Sequence, residues 1–126
     1  MNLIESLNIE YFRLHPEKDK FEAKMNLTPF HSQPFGMLHG GATCAFGEIV
    51  AGMASYDMLE KSKAPAGQTL VAYHFKPKKI EGYLLARGML MHQGKRTHVW
   101  RIDMYDENEL LIASVTVTNA IVDKYA

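Results

Sequence analysis

The alternation of apolar and polar positions divides this chain into strands and one long apolar run. Phe21-Glu-Ala-Lys-Met-Asn-Leu-Thr sets Phe21, Ala23, Met25 and Leu27 on one face, the period-two pattern of a half-buried strand. Thr97–Tyr105 aligns His98, Trp100, Ile102 and Met104, and Leu110–Val122 sets Ser114, Thr116 and Thr118 against Val115, Val117 and Asn119. Tyr83–Gln93 is a third long run of this kind. Turns at Gly94-Lys95 and Asp106–Glu109 join the three, and connections that short predict antiparallel pairing. Ile9–Leu14 reads as extended, residues 2–8 as a short helix, and His15–Lys20 as a polar turn. Pro29–Leu38 holds two prolines and a glycine and reads as a structured loop. Gln68–Lys76 is a further strand, stopped by Pro77.

Between that loop and that strand, Ala42–Leu59 is apolar and carries charge only at Glu48 and Asp57. A helix apolar on all sides is a buried helix. This one is expected to fade near Lys61, before Ser62–Gly67 breaks it. One such helix needs cover, and five or six antiparallel strands supply it by curling around it. The predicted class is therefore α+β, one long central helix wrapped by a five- to six-stranded antiparallel sheet, in a single domain over residues 1–126. The sheet's free edges predict self-association.

Composition narrows the partners. Fourteen basic and fourteen acidic residues cancel in a chain of 126, so no global field argues for nucleic acid or an anionic membrane. An acid stands near the N-terminus where a signal peptide would be basic, and the two acids of the long helix argue against a membrane span. A cytoplasmic location is the expectation. A single cysteine, Cys44, excludes an internal disulfide framework.

The candidate chemistry lies at His39-Gly40-Gly41 and Glu48. Glycines at a helix start let another group approach unpaired N–H groups and the positive end of the dipole, which would receive a developing oxyanion. A carboxylate in an apolar helix is costly unless paired, which marks Glu48 as functional. Cys44 sits four residues before Glu48 with no base at hand, and a lone cysteine of this kind is packing. The six histidines show no metal-ligand spacing, so no metal site is expected.

Gln33-Pro-Phe-Gly-Met-Leu-His39-Gly-Gly, with Glu48 nine residues after the histidine, resembles the hotdog-fold acyl-CoA thioesterases. The branch it resembles contains the 4-hydroxybenzoyl-CoA thioesterase with a helix glutamate, the phenylacetate-pathway thioesterases and the 1,4-dihydroxy-2-naphthoyl-CoA thioesterases. Met91–Trp100 is similar to that branch's turn between two long strands, and Ala113–Val122 to its terminal strand. The resemblance implies Glu48 as the catalytic carboxylate, either attacking the thioester carbonyl or activating water. It also implies the Gly40 amide as oxyanion donor, with Gln33 nearby and His39 shaping the loop. Gly41 and His74 would flank the substrate, and Lys95 and Arg96 would meet the phosphates of CoA. Lys76, Lys78 and Lys79 have a similar claim.

In the family the Gln and His-Gly loop of one subunit faces the glutamate helix of its neighbour. Nine residues of helix rise ~13 Å, too far for both groups of one chain to reach one carbonyl. A homodimer is therefore expected, assembled as a dimer of dimers. Relatives often place Ser or Thr one turn after the acid, and here that position is Gly52. The expected activity is hydrolysis of an aryl or medium-chain acyl-CoA to acid and CoA, with no cofactor beyond the CoA of the substrate. The alternatives are an acyl-thioester hydratase or dehydratase, and a non-catalytic acyl-CoA-binding module.

Overall fold

The computed structural model describes residues 1–124, apart from the side chain of Tyr11. A short helix α1 (Leu3–Ser6) leads into β1 (Ile9–Leu14) and β2 (Lys20–Asn26). The long helix α2 (Gly40–Met58) follows, and then β3 (Lys63–His74), β4 (Tyr83–Gln93), β5 (Thr97–Tyr105) and β6 (Leu111–Asp123). The six strands form one antiparallel sheet in the order β1-β2-β4-β5-β6-β3, which leaves β1 and β3 as its edges. The sheet curls around α2, which packs chiefly along β3 and β6. Among the described residues no helix is long and apolar enough to cross a membrane.

Strand alternation fixes the core. Phe21, Ala23 and Met25 of β2, Leu84 and Ala86 of β4, and Trp100, Ile102 and Met104 of β5 are all buried. Each large side chain there contributes about 1.5–3 kcal/mol by leaving water. From α2 come Phe46, Val50, Ala51 and Ala54, at the three- and four-residue spacing of one helical face. Gly47 lets the helix sit close on the sheet, since a Cβ there would meet Val115 Cγ1 at 3.1 Å and Met104 Cε at 3.3 Å. Register shifts at Gly67/Thr69 and at Leu90/His92 sharpen the local twist that wraps the sheet.

Three expectations need correction. The helix stops at Met58, with Leu59 as its C-cap, rather than near Lys61. The segment through Pro65 and Gly67, read as a break, is the first half of β3 and pairs with β6 from Lys63↔Asp123 onward. An edge strand tolerates a proline because the missing N–H can face the unpartnered side, and Gly67 adjoins the register shift. Finally, the sheet covers only one side of α2. On the other side Gly41, Glu48 and Tyr56 are exposed, and Cys44, Ala45 and Gly52 are half-buried.

Candidate active site

His39 is the N-cap of α2. A helix start leaves four N–H groups without intrahelical partners. The His39 N–H donates to the His31 carbonyl at 2.8 Å, the Gly41 N–H to His39 Nδ1 at 2.8 Å, and the Ala42 N–H to the His39 carbonyl at 3.0 Å. The Gly40 N–H has no acceptor among the described residues. It borders a cavity of about 400 Å³ whose walls include Gln33, Thr43, His74, Lys76 and Ile112. His74, the last residue of β3, stands beside Gly40. A Cβ on Gly40 would meet its Nε2 at 3.1 Å, so a larger residue there would press on the imidazole.

The loop before α2 aims Gln33 into the same space. His31 is buried and anchors the loop, with Nε2 donating to the Leu7 carbonyl at 2.7 Å and Nδ1 accepting the Thr28 N–H at 3.0 Å. The tight turn at Gly36, φ +82°, brings the Phe35 and Met37 amides onto the Gln33 side chain. Both are donors, so the atom facing them is Oε1, and the two hydrogens of Nε2 remain to donate elsewhere.

Glu48 stands eight residues beyond Gly40, about 12 Å along the helix axis. It is exposed, not buried as expected, because the sheet covers the opposite side of α2. Its carboxylate lies against Gly67 of β3, where any Cβ would overlap Oε2. Gly67→Ala therefore displaces the end of a flexible side chain rather than the core. The melting temperature should hold while the carboxylate moves, and the check is turnover measured beside a thermal melt. The space next to Gly52, one turn further on, is open.

The single chain thus gathers Gln33, Gly40 and His74 and leaves Glu48 apart. The Gly41 amide is already taken by His39. Lys95 and Arg96 border a different cavity of about 510 Å³, with Met58, Leu59 and Lys63 at the far end of α2. Of the second basic cluster, Lys76 and Lys78 both border the Gly40 cavity, and Lys78 is also a structural lysine. Its buried Nζ donates to the Glu81 carbonyl at 2.7 Å and pairs with Glu107 at 3.1 Å. Burial raises the pKa of the Cys44 thiol, which suits packing and not nucleophilic chemistry. A cavity of about 480 Å³ on the outer sheet face, among Glu22, Arg87, Arg101 and Asp103, contains none of the motif residues.

Sequence reading missed Thr43. It is buried, it borders the Gly40 cavity, and its position three residues after Gly40 places it on the same helix face.

Comparison with known proteins extends what the motif suggests. The pattern of the thioesterase superfamily matches residues 35–113. The 1,4-dihydroxy-2-naphthoyl-CoA hydrolase of Escherichia coli is 32% identical over 120 residues, which cover 95% of this chain and 86% of that protein. The proofreading thioesterase EntH of Klebsiella pneumoniae is 35% identical over 105 residues, 83% of this chain and 74% of its own. A crystal structure from Lactococcus lactis, of a protein described as a thioesterase and called yhdA, superposes with a TM-score of 0.95 at 49% identity, covering 98% of this chain and all of that one (100%). With the helix, the curled sheet and these relatives in agreement along nearly its whole length, the chain belongs to the thioesterase superfamily and is a hotdog-fold thioester hydrolase.

Proposed function

We propose that this enzyme hydrolyses an aryl or medium-chain acyl-CoA to the free acid and CoA, at a site built from two copies of the chain. The observation that carries the reading is the free Gly40 amide and the Gln33 amide group bordering one cavity, which no carboxylate lines among the described residues. The thioester oxygen would sit between the Gly40 N–H and Gln33 Nε2, which stabilise the negative charge that develops on it. Glu48 of a second copy would either take a proton from a water that attacks the carbonyl carbon, or attack that carbon itself to form an acyl anhydride that water then hydrolyses to the acid. In both routes the C–S bond breaks, and the sulfur leaves as the thiol of CoA after gaining a proton. His39 holds the loop by capping Gly41, and His74 walls the carbonyl site. No metal or redox group enters this scheme.

Two features support the second copy. β3 is an unpaired edge of 12 residues, long enough to continue the sheet into a neighbour. Beside it, the small residues Gly41, Cys44, Ala45 and Gly52 flank Glu48 on the uncovered side of α2, so a second helix can approach closely. Two antiparallel helices would bring the Glu48 of one copy toward the Gly40 of the other. They would also bring the Lys95 and Arg96 end toward the mouth of that cavity, where CoA phosphates would lie. A further pairing of such dimers would give a tetramer. Relatives named as hydrolases and thioesterases favour hydrolysis over hydration or silent binding.

Mixed subunits test the shared site. Glu48→Gln and Gln33→Ala homodimers should each fail to release thiol from an aryl acyl-CoA. Mixed one to one, they should recover about a quarter of wild-type activity, because half the dimers are hybrid and each hybrid has one intact site. No recovery in verified hybrids would overturn the two-chain arrangement.

A further inference from the structure

The loop that carries Gln33 makes its backbone bridges outside the named strands of the sheet. The Gln33 N–H donates to the Met37 carbonyl at 2.7 Å, and Ser32 bridges Leu38. Met37 in turn bridges Lys79, and the Leu38 N–H donates to the Lys78 carbonyl at 2.8 Å. Residues 78–79 are thus the outer support of the loop, two bonded steps from Gln33. They belong to the connection over residues 75–82, between β3 and β4. A support places a side chain only as well as it is itself held.

The Lys78 ammonium holds it. Lys78 is 6% exposed, and its Nζ donates to the Glu81 carbonyl at 2.7 Å and to the Lys79 carbonyl at 3.3 Å. It also pairs with Glu107 Oε1 at 3.1 Å, so its three hydrogens meet three acceptors. The two carbonyls close the connection around the side chain. Glu107 lies in the turn between β5 and β6 and ties the connection to the end of the sheet. Its carboxylate rests against Gly82, where any Cβ would overlap Oε2. A buried ion pair adds little stability over apolar side chains of the same volume. What it adds here is direction. Lys78 borders the Gly40 cavity, but its protons are all spent on the protein's own acceptors.

We infer that Lys78 is a positioning residue for the hydrolysis. Its buried ammonium fixes residues 78–79, and the hydrogen bonds through Leu38 and Met37 carry that position to Gln33. This rests on the reading that Gln33 of one copy receives the thioester oxygen while Glu48 of another acts on the carbonyl. The Gly40 amide is part of α2, which packs along β3 and β6 and keeps its place without this support. Gln33 depends on the loop alone. An error of about 1 Å in such a donor costs on the order of 10²-fold in rate. The loss falls on kcat, because the charge on the oxygen develops only in the transition state.

The test follows thiol release from whichever of benzoyl-, hexanoyl- and decanoyl-CoA the wild type hydrolyses fastest. Lys78→Met keeps the apolar stem and removes the charge, and should lower kcat ~10–100-fold while KM changes less than about threefold. Subunit mixing separates positioning from a general structural role. Mixed one to one with Glu48→Gln, Lys78→Met should recover about a quarter of wild-type activity, since each hybrid joins one undisturbed Gln33 loop to one intact Glu48. Mixed with Gln33→Ala it should recover nothing beyond its own residual activity, because both loops are then defective. Glu107→Gln keeps the size of the side chain and removes its charge. It should show the same pattern with a loss of about three- to tenfold, and it decides the matter if Lys78→Met yields no folded dimer. An unchanged kcat in the folded variant, or recovery with both partners or with neither, overturns the proposal and leaves the shared site standing. Failure of Gln33→Ala and Glu48→Gln to complement each other in verified hybrids overturns the shared site and the proposal together. Absence of thiol from all three acyl-CoAs in wild type overturns the hydrolysis reading as well.

Discussion

Glu48→Gln should reduce thiol release by about 10²–10⁴-fold, the range that a positioned acid or base contributes. This corresponds to about 2.7–5.5 kcal/mol of lost transition-state stabilisation. Glutamine keeps the size and shape of the side chain and can neither attack the carbonyl carbon nor take a proton from water, so both routes predict the loss. The fold should not notice. Glu48 is exposed on the uncovered side of α2 and its change touches none of the buried core. The melting temperature should therefore stay close to that of wild type while kcat collapses. Near-normal turnover in Glu48→Gln would remove Glu48 from the chemistry. Gly67→Ala completes the argument from the other side, because it leaves the carboxylate in place chemically and moves it in space. A loss in both variants with stability retained locates the requirement in the position of that carboxylate.

The alternating strands were legible because burial on one face imposes a period of two, and Tyr83–Gln93 and Thr97–Tyr105 match their observed bounds. The first half of β3 was not legible. Pro65 and Gly67 signal a break in any local reading, and only the edge position of the strand makes them harmless. The motif likewise announced Gly40 and Glu48, but not the state of the groups around them. That the Gly41 amide is taken while the Gly40 amide is free depends on the ring of His39, and the orientation of Gln33 depends on two amides presented by a turn. Thr43 escaped notice because burial at a cavity wall is a fact of three-dimensional neighbours. The exposure of Glu48 was hidden for a related reason. The sequence marks the helix as apolar on all sides, but it does not say which side is covered by the chain itself.

Ser55 makes the opposite prediction to Glu48 from the same helix. Although two turns from the acid, it faces the core and is fully buried (0% exposed). Its Oγ accepts from Trp100 Nε1 at 2.9 Å and from Asn119 Nδ2 at 3.2 Å, and lies 2.9 Å from His98 Nδ1. A hydroxyl has two lone pairs and one proton, so with both lone pairs occupied it must donate to His98. His98 Nδ1 is then an acceptor and the ring is neutral with its proton on Nε2. Burial, together with the nearby His92, lowers the pKa of His98 in agreement with that state. Ser55→Ala removes the shared partner of three buried groups at once, and the hole it leaves is too small to admit a water. At about 1–3 kcal/mol for each unsatisfied group the loss should be on the order of 3–6 kcal/mol. Set against a total stability of about 5–15 kcal/mol, that should lower the melting temperature by on the order of 10–20 °C. A double-mutant cycle with Trp100→Phe should show coupling, because Phe no longer needs the acceptor that Ala has removed. A shift of only about 3 °C in Ser55→Ala would mean that the three groups find other partners. Below its melting transition the variant should still hydrolyse thioesters, since Ser55 stands two turns, about 10 Å, along α2 from Glu48 and its partners His98, Trp100 and Asn119 belong to the core.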